Sequence, residues 1–416
     1  MIFLSRLKRV IKKISVSYRE NDSFSLTLSY VLKILNKKLF LLCQHLYGAR
    51  HTFRPAYRAA KKQRLIEAHK QGRAVLALCV AGGVGDLLVM ARFIRDMHKE
   101  AGGFSYDIFC AHPVIARWIF ANVLGFVHAE YDTALRLGRL KVFYDAEFHL
   151  NQGVKIVRQS KNLSRLSSGQ FSKILQNIGR SAKDLRLYID NQPFLDNALG
   201  RVAVYSNASR RDFLHHIAGV SYGGDLLQVP CTADVLERFS LHGRQWITVH
   251  NGFDTNFIVG GERATKCYPH FDRVLEHIKR LRPDIFIIQI GTSSSIRLLN
   301  ADLDLISKTN LEEATALLQG STLHLDNESG LVHLASCLGT RSVVVFGPTP
   351  SDYFGYPTNI NINPTFCGGC WWINELWMDR CPRQFEVAEC LQTIDPERIA
   401  VAFLEAFGRS EPLTVV

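Results

Sequence analysis

Residues 73–86 read RAVLALCVAGGVGD, a short apolar run that ends on a glycine-rich turn and a carboxylate, and the pattern LLVMARFIRDMHKE follows at once. Strand, tight turn and amphipathic helix form the opening unit of a Rossmann half. Glycines let the backbone turn sharply there, and the start of the following helix presents unpaired N–H groups. Working outward, strands are expected at 106–112 (YDIFCAH), 141–148 (KVFYDAEF) and 201–205 (RVAVY), with helical stretches between them. That alternation predicts a parallel sheet covered by helices.

A second cycle starts with QWITVHNG (245–252), passes through the helical FDRVLEHIKRL, and continues with DIFIIQIG (284–291), STLHLD (321–326) and SVVVFG (342–347). The fold class is therefore α/β, with two Rossmann-like domains facing a cleft and a basic helical extension in front. A chain of 416 residues is too long for one ordinary core and suits this doubling. The expected divisions are 1–70 for the extension, 71–240 for the first domain and 241–416 for the second, which carries a cysteine cluster at 367–390. The hinge is placed at Val229 to Arg244, where Pro230 and Gly243 interrupt the pattern. Ligands of such sheets bind outside the strand C-termini.

Hydrophobic residues make up 47% and charged residues 21%, the balance of a globular protein. The net charge of +12 is confined to one arm. Residues 1–70 hold 16 Lys and Arg against three acids, whereas 71–416 hold 34 against 35. The arm opens MIFLSRLKRVIKKISVSY, a basic amphipathic pattern that can lie on an anionic membrane surface through residues 1–20 or pack on its own domain. A second apolar stripe covers 23–47. No apolar run reaches the ~18 to 20 residues needed to cross a bilayer, and no signal-peptide pattern opens the chain, so the expected location is cytoplasmic. Cysteines 43, 79, 110, 231, 267 and 337 stand singly and read as buried reduced thiols.

Four segments carry chemistry. Gly82, Gly83 and Gly85 with Asp86 lack the spacing of a dinucleotide fingerprint. Asp86 is either a group aimed into the cleft or a helix N-cap. Lys266, in TKCYP (265–269), precedes a helix whose dipole it opposes, so a nearby anion would relieve it; a solvated loop lysine is the other reading. DNESGLVHLA (326–335) followed by FGPT (346–349) joins a strand end to a helix start. Cys367 and Cys370 form a C-x-x-C knuckle, with Cys381 and Cys390 beyond it, a set able to hold Zn or Fe tetrahedrally.

Together these segments resemble glycosyltransferase family 9, the bacterial heptosyltransferases. The family has G-x-G-D at the first turn, K-x-W-P at the second and D-[ST]-G-x-x-H-x-A before [FY]-G-x-T at the third. Here Tyr268 replaces the Trp, Ser329, Gly330, His333 and Ala335 fall in register, and the family Asp falls on Glu328, with Asp326 two residues earlier. The resemblance implies a GT-B fold, an acceptor-binding first domain and a nucleotide-sugar-binding second one. It makes Asp86 the base for the acceptor hydroxyl and Lys266 a phosphate contact. Ser329 and Gly330 would cradle the diphosphate, Thr349 would add a hydroxyl, and His333 would support its neighbours. The nucleoside is expected near Gly291 to Ser295. The implied reaction is inverting transfer of a heptose from ADP-heptose to a lipopolysaccharide-core or related glycan, lipid-linked or protein acceptor, on the inner face of the inner membrane. No DxD signature is present, and the family's cysteine pattern agrees with a bound metal. The last helix, near Pro396 to Phe407, is expected to cross back over the hinge.

Two other classes remain in view. One is a sugar-nucleotide 2-epimerase on the same fold. The other is a nucleic-acid-binding protein using the cysteines as a metal module. Against the latter, residues 364–389 carry two basic side chains and four acids.

Overall fold

The computed structural model describes residues 50–166, 168–232, 234–253 and 263–409. The two amphipathic segments expected at 1–20 and 23–47 lie outside the described residues. Two sheets account for the strands. The first contains β1 (Ala74–Val80), β2 (Phe104–Cys110), β3 (Phe126–Tyr131), β4 (Ala146–Leu150) and β5 (Val154–Gln159), in the order β3-β2-β1-β4-β5. The second contains β6 (Trp246–Val249), β7 (Phe286–Gly291), β8 (Leu303–Ile306), β9 (His324–Asn327), β10 (Ser342–Val345) and β11 (Ile360–Ile362), in the order β11-β10-β9-β6-β7-β8. In both, the chain order reverses beside the first strand, which places a crevice between β1 and β4 and another between β6 and β9. The second sheet is parallel throughout, while the first departs from the expected pattern because β5 runs antiparallel to β4.

Seven helices position the site: α1 (Pro55–Lys70), α2 (Val84–Ala101), α3 (Asp196–Tyr205), α4 (Phe271–Leu281), α5 (Gly330–Leu338), α6 (Ser351–Phe354) and α7 (Pro396–Gly408). α2 packs directly on α5, and one apolar core runs from Leu87 and Phe93 of the first domain to Val332 and Val344 of the second. The two sheets therefore share buried surface across the cleft floor. On the far side of the first sheet, α1 docks through ion pairs. Lys61 and Arg64 reach the buried Asp107 at 2.5 and 2.7 Å, and His69 lies 3.0 Å from Asp145. Buried carboxylates need such partners, since an unpaired charge out of water is strongly disfavoured.

Three expectations are corrected. Residues 201–205 lie in helix α3, because Asp196, Leu199, Gly200 and Ala203 are the buried positions and their spacing is helical, which outweighs the β-branched local composition. The 141–148 strand begins only at Ala146, since Leu140–Phe143 makes a 3-10 turn. α7 does not cross the hinge: it packs on α4 and against β10 and β11 of its own domain. Contact between the domains behind the cleft is made instead by α3 on α6, where Gly200 leaves room for Tyr353 and Trp371.

Candidate active site at the facing helix starts

The turn after β1 works because of its glycines. Gly82 has φ of 130°, and a Cβ there would lie 2.2 Å from Asp86 Oδ2. Asp86 sits in the first turn of α2 and accepts from the Gly83 N–H at 3.1 Å, which satisfies one of the orphan donors at the helix start. Its other oxygen lies 2.7 Å from Arg210 Nη2 and 3.5 Å from Gln152 Nε2. Arg210 is 1% exposed and Asp86 25%, so the carboxylate is oriented from behind and reached from the cleft. Burial works against the Arg210 charge, but Asp86 and the Tyr353 phenol outweigh it and its pKa rises. Asp86 is not the N-cap, a position held by Gly83; it stands two residues into the helix and accepts from the cap's N–H.

Across the cleft, β9 delivers Asp326, Asn327 and Glu328 to the start of α5. Ser329 is the N-cap: its Oγ accepts from Leu331 N at 3.1 Å and donates to Asp326 Oδ2 at 2.5 Å. Asp326 is fully buried and is also bound by His250 Nδ1 at 2.8 Å and His324 Nε2 at 3.1 Å. Burial pushes its carboxyl up, and His250 and His324 together with their hydrogen bonds bring it down to about 2. Asp326 therefore holds the loop together, and Glu328, itself 7% exposed, has partners of its own. Lys266 Nζ lies 3.2 Å from Glu328 Oε2, and His333 Nε2 lies 3.8 Å from Oε1. Burial opposes the Glu328 charge, but Lys266 first and His333 next take its pKa down to about 2. Lys266 is raised in turn, Glu328 outweighing the effect of burial. His333 Nδ1 meets Tyr356 Oη at 2.7 Å, and Arg92 Nη2 donates to the same phenol at 2.6 Å, which links this group to α2.

The two helix starts touch. A Cβ on Gly330 would lie 3.2 Å from Val84 Cβ and 3.3 Å from the Gly85 nitrogen, and a Cβ on Gly85 would lie 2.4 Å from His333 Cδ2. Two helix N-termini with their positive dipole ends thus meet at one place, beside Lys266. Several polar atoms in the second domain are buried without a hydrogen-bond partner among the described residues: Thr349 Oγ1, Asn327 Nδ2, and Ser295 Oγ in the 291–295 turn. Buried orphans of this kind call for a ligand or water.

The profile of glycosyltransferase family 9 (heptosyltransferase) matches residues 254–368, the stretch that supplies Lys266, Glu328, Ser329, Gly330, His333 and Thr349. Over this segment, about a quarter of its length, the chain is similar to glycosyltransferase family 9. Asp86 lies outside it. The chain is 30% identical over 122 residues to lipopolysaccharide heptosyltransferase 1 of Campylobacter coli, a match that covers 29% of this chain and 32% of that protein. The match thus spans about a third of the length of the curated relative. Among solved structures, the family 9 glycosyltransferase of Veillonella parvula DSM 2008 superposes with a TM-score of 0.54 at 14% identity, covering 81% of this chain and 98% of that one. The iron-containing dodecameric glycosyltransferase TibC of enterotoxigenic E. coli H10407 gives 0.53 at 13%, covering 82% and 77%. TibC has also been solved with ADP-D-β-D-heptose, at a TM-score of 0.52 and 13% identity, covering 81% of this chain and 76% of that one. At these identities the structures establish the GT-B fold.

The family 9 segment is held by the cysteine loop that follows it. Thr265 donates through N and Oγ1 to the carbonyls of Met378 and Trp377, while Trp371 N bonds Pro348 O and Gly369 N bonds Gly347 O. The loop thereby grips both the Lys266 turn and the Thr349 turn. Asn197 of α3 donates to the carbonyls of Gly369 and Trp371, tying the loop to the first domain as well. All four thiols are free and influence one another electrostatically, although no three of their sulfurs lie within 4.8 Å of one another. Burial, then Cys367, Cys370 and Cys381, push the Cys390 thiol up to about 12, and burial with Cys381 and Cys367 pushes Cys370 up to about 11. Mutually destabilised thiolates in one place fit a cation among them.

Arg210, Gln152, Tyr356 and Arg92 were not read from the sequence. None stands in a motif, and each reaches the site through a tertiary contact. Two of the lone cysteines also differ from expectation: Cys231 is exposed, and Cys79 lies beside Glu147 and His149.

Proposed function

We propose that the chain is an inverting glycosyltransferase that moves a heptose from ADP-heptose to a lipopolysaccharide-core or related glycan or protein acceptor. The observation that carries this reading is the meeting of the two helix starts, with Asp86 on one side and the Lys266–Glu328 pair on the other. Residues 71–240 would bind acceptor and 241–416 the sugar nucleotide. The diphosphate lies against the N–H groups of Ser329 and Gly330, with Thr349 and Lys266 as further donors. Asp86, oriented by Arg210, takes the proton of the acceptor hydroxyl as its oxygen attacks the anomeric carbon opposite the departing ADP. One glycosidic bond forms, one carbon–phosphate oxygen bond breaks, and no covalent enzyme intermediate is needed.

With no DxD signature, the charge developing on the diphosphate falls to Lys266 and the α5 start. Loss of either costs about 2 to 4 kcal/mol if it behaves like a transition-state donor. Cys367, Cys370, Cys381 and Cys390 would hold Zn or Fe and fix the loop behind both donor turns. The iron in TibC supports this reading. The basic segment at residues 1–20 would lie on the anionic inner face of the inner membrane, making the protein peripheral. Among the described residues, no helix is long and apolar enough to cross a membrane.

The test is a thermal-shift panel of ADP, UDP, GDP and CDP on wild type and Lys266→Ala. A ligand at 100 times its Kd stabilises by about 2.7 kcal/mol. Stabilisation by ADP alone, lost in the variant, is the expected result; a flat response to all four defeats the reading.

A further inference from the structure

The face of the first sheet under α1 carries a row of buried carboxylates: Glu130 on β3, Asp107 on β2, Asp145 just before β4, and Glu147 on β4. All four have basic partners. Asp107 holds Lys61 and Arg64, Asp145 holds His69, and Glu130 holds His51 and His128. Glu147 differs in having a thiol beside it. It is 3% exposed, and its neighbours are His149, with Nε2 3.1 Å from Oε1, the Cys79 thiol, and Lys141, a 43%-exposed side chain whose ammonium lies 2.9 Å from Oε2.

Strand register builds this group. Cys79 and His149 are paired across β1 and β4, and Glu147 precedes His149 by two residues on the same face. One ligand atom from each of the three lies within 4.8 Å of the others, the one such group among the described residues. A tetrahedral Zn2+, with bonds of about 2.0 to 2.3 Å, sets its donor atoms roughly 3.3 to 3.6 Å apart, so closure asks for side-chain movements of about 1 Å. The ligands stand on adjacent central strands, which fixes their backbone. Cys79 and His149 are each one residue from the carboxyl end of their strand, beside the point where the strand order reverses, while Glu147 lies near the start of β4.

We propose that Cys79, Glu147 and His149 form a transition-metal site, separate from the four-cysteine loop, that takes a borderline divalent cation such as Zn2+. Thiolate, imidazole and carboxylate are the donor set such an ion prefers over Mg2+ or Ca2+. On binding, the Cys79 sulfur gives its proton to solvent, and the Lys141 ammonium leaves Glu147 and turns out to water. The incoming charge replaces the one that departs, and no electron is transferred. Three protein ligands leave a fourth position for water or another oxygen donor. The site does not depend on the glycosyltransfer reading.

Zinc bound per chain is measured by equilibrium dialysis of the metal-stripped full-length protein and metal analysis, in wild type, Cys79→Ser and His149→Gln. Each variant should bind one fewer Zn2+ than wild type. In a Cys370→Ser/Cys381→Ser background, Co2+ should still give a sulfur-to-cobalt charge-transfer band, and adding Cys79→Ser should abolish it. Lys141→Met removes the competing ammonium and should tighten zinc about tenfold. That substitution lies on a part-exposed side chain, so it serves if Cys79→Ser fails to fold. Equal zinc content in wild type, Cys79→Ser and His149→Gln, or zinc binding indifferent to Lys141→Met, overturns the assignment.

Discussion

Gly85→Ala tests the closed packing of the two domains more directly than any change to a charged residue. Gly85 is helical with an ordinary φ, so on an isolated helix alanine there would stabilise by about 1 kcal/mol. In the folded protein its Cβ would stand 2.4 Å from His333 Cδ2, about 1 Å inside normal contact. The ring has little room to retreat, because Nδ1 is held by Tyr356 at 2.7 Å and Nε2 faces Glu328 at 3.8 Å. Overpacking of this kind costs about 1 to 3 kcal/mol, and loss of the buried His333–Tyr356 hydrogen bond adds about 1 to 2. After the helix-propensity gain the net expectation is about 2 kcal/mol of destabilisation. For domains of this size that is a fall in Tm of roughly 4 to 8 °C. Differential scanning calorimetry gives the stability, and ADP release in the presence of donor and acceptor gives the activity. The variant should also lose at least tenfold in kcat/KM, because α2 and α5 must separate at the point where their N–H groups converge. A Gly85→Ala protein as stable as wild type, with kcat/KM within twofold, refutes the argument.

Other substitutions separate binding, chemistry and stability. Asp86→Asn should nearly abolish transfer while ADP affinity by titration calorimetry stays within about threefold; normal turnover removes Asp86 from the base role. Arg210→Met should lower kcat at least tenfold with little change in Tm, since the arginine's burial already offsets much of what its pairing contributes; an unchanged kcat would make Arg210 merely structural. Thr349→Val removes a buried hydroxyl that has no partner among the described residues, so stability should hold or rise while ADP binds several-fold more weakly. Glu328, Asp326 and Glu147 all have folded pKa values near 2, below their ordinary values of 4.5, 3.8 and 4.5. Their stabilising contribution is therefore complete above pH 4.5 and is lost as pH falls toward 2; a urea midpoint that stays level across that window contradicts the pairing described here.

Much of the cleft was legible because its parts are local in sequence. The strand, turn and helix at 73–101 and the corresponding unit at 324–338 announce themselves by apolar runs punctuated by glycine, and Ser329 is where a cap belongs. The helix at 271–281 follows from its periodicity alone. The misses have physical causes. RVAVY looks like a strand when read as five residues, and its helical period appears only when Asp196 and Leu199 are included. β3, β5, β8 and β11 are short and part-exposed, so they lack the continuous apolar signature of β1. Arg210 is 124 residues from Asp86, and Tyr356 is 264 from Arg92, so no spacing rule links them. Glu147 fell inside a stretch read as a plain strand and His149 just beyond it, and only sheet pairing brings Cys79 opposite them.

The grip of the cysteine loop on both donor turns makes preparation history a variable for this protein. Air oxidation of Cys367 with a neighbouring thiol, or a chelator if the loop holds a metal, would act on residues outside the cleft and reach Thr265 and Pro348 through hydrogen bonds to the peptide backbone. Two batches with the same sequence and the same purity on a gel can then differ in donor affinity. Thiol titration and metal content belong beside protein concentration whenever a specific activity is compared.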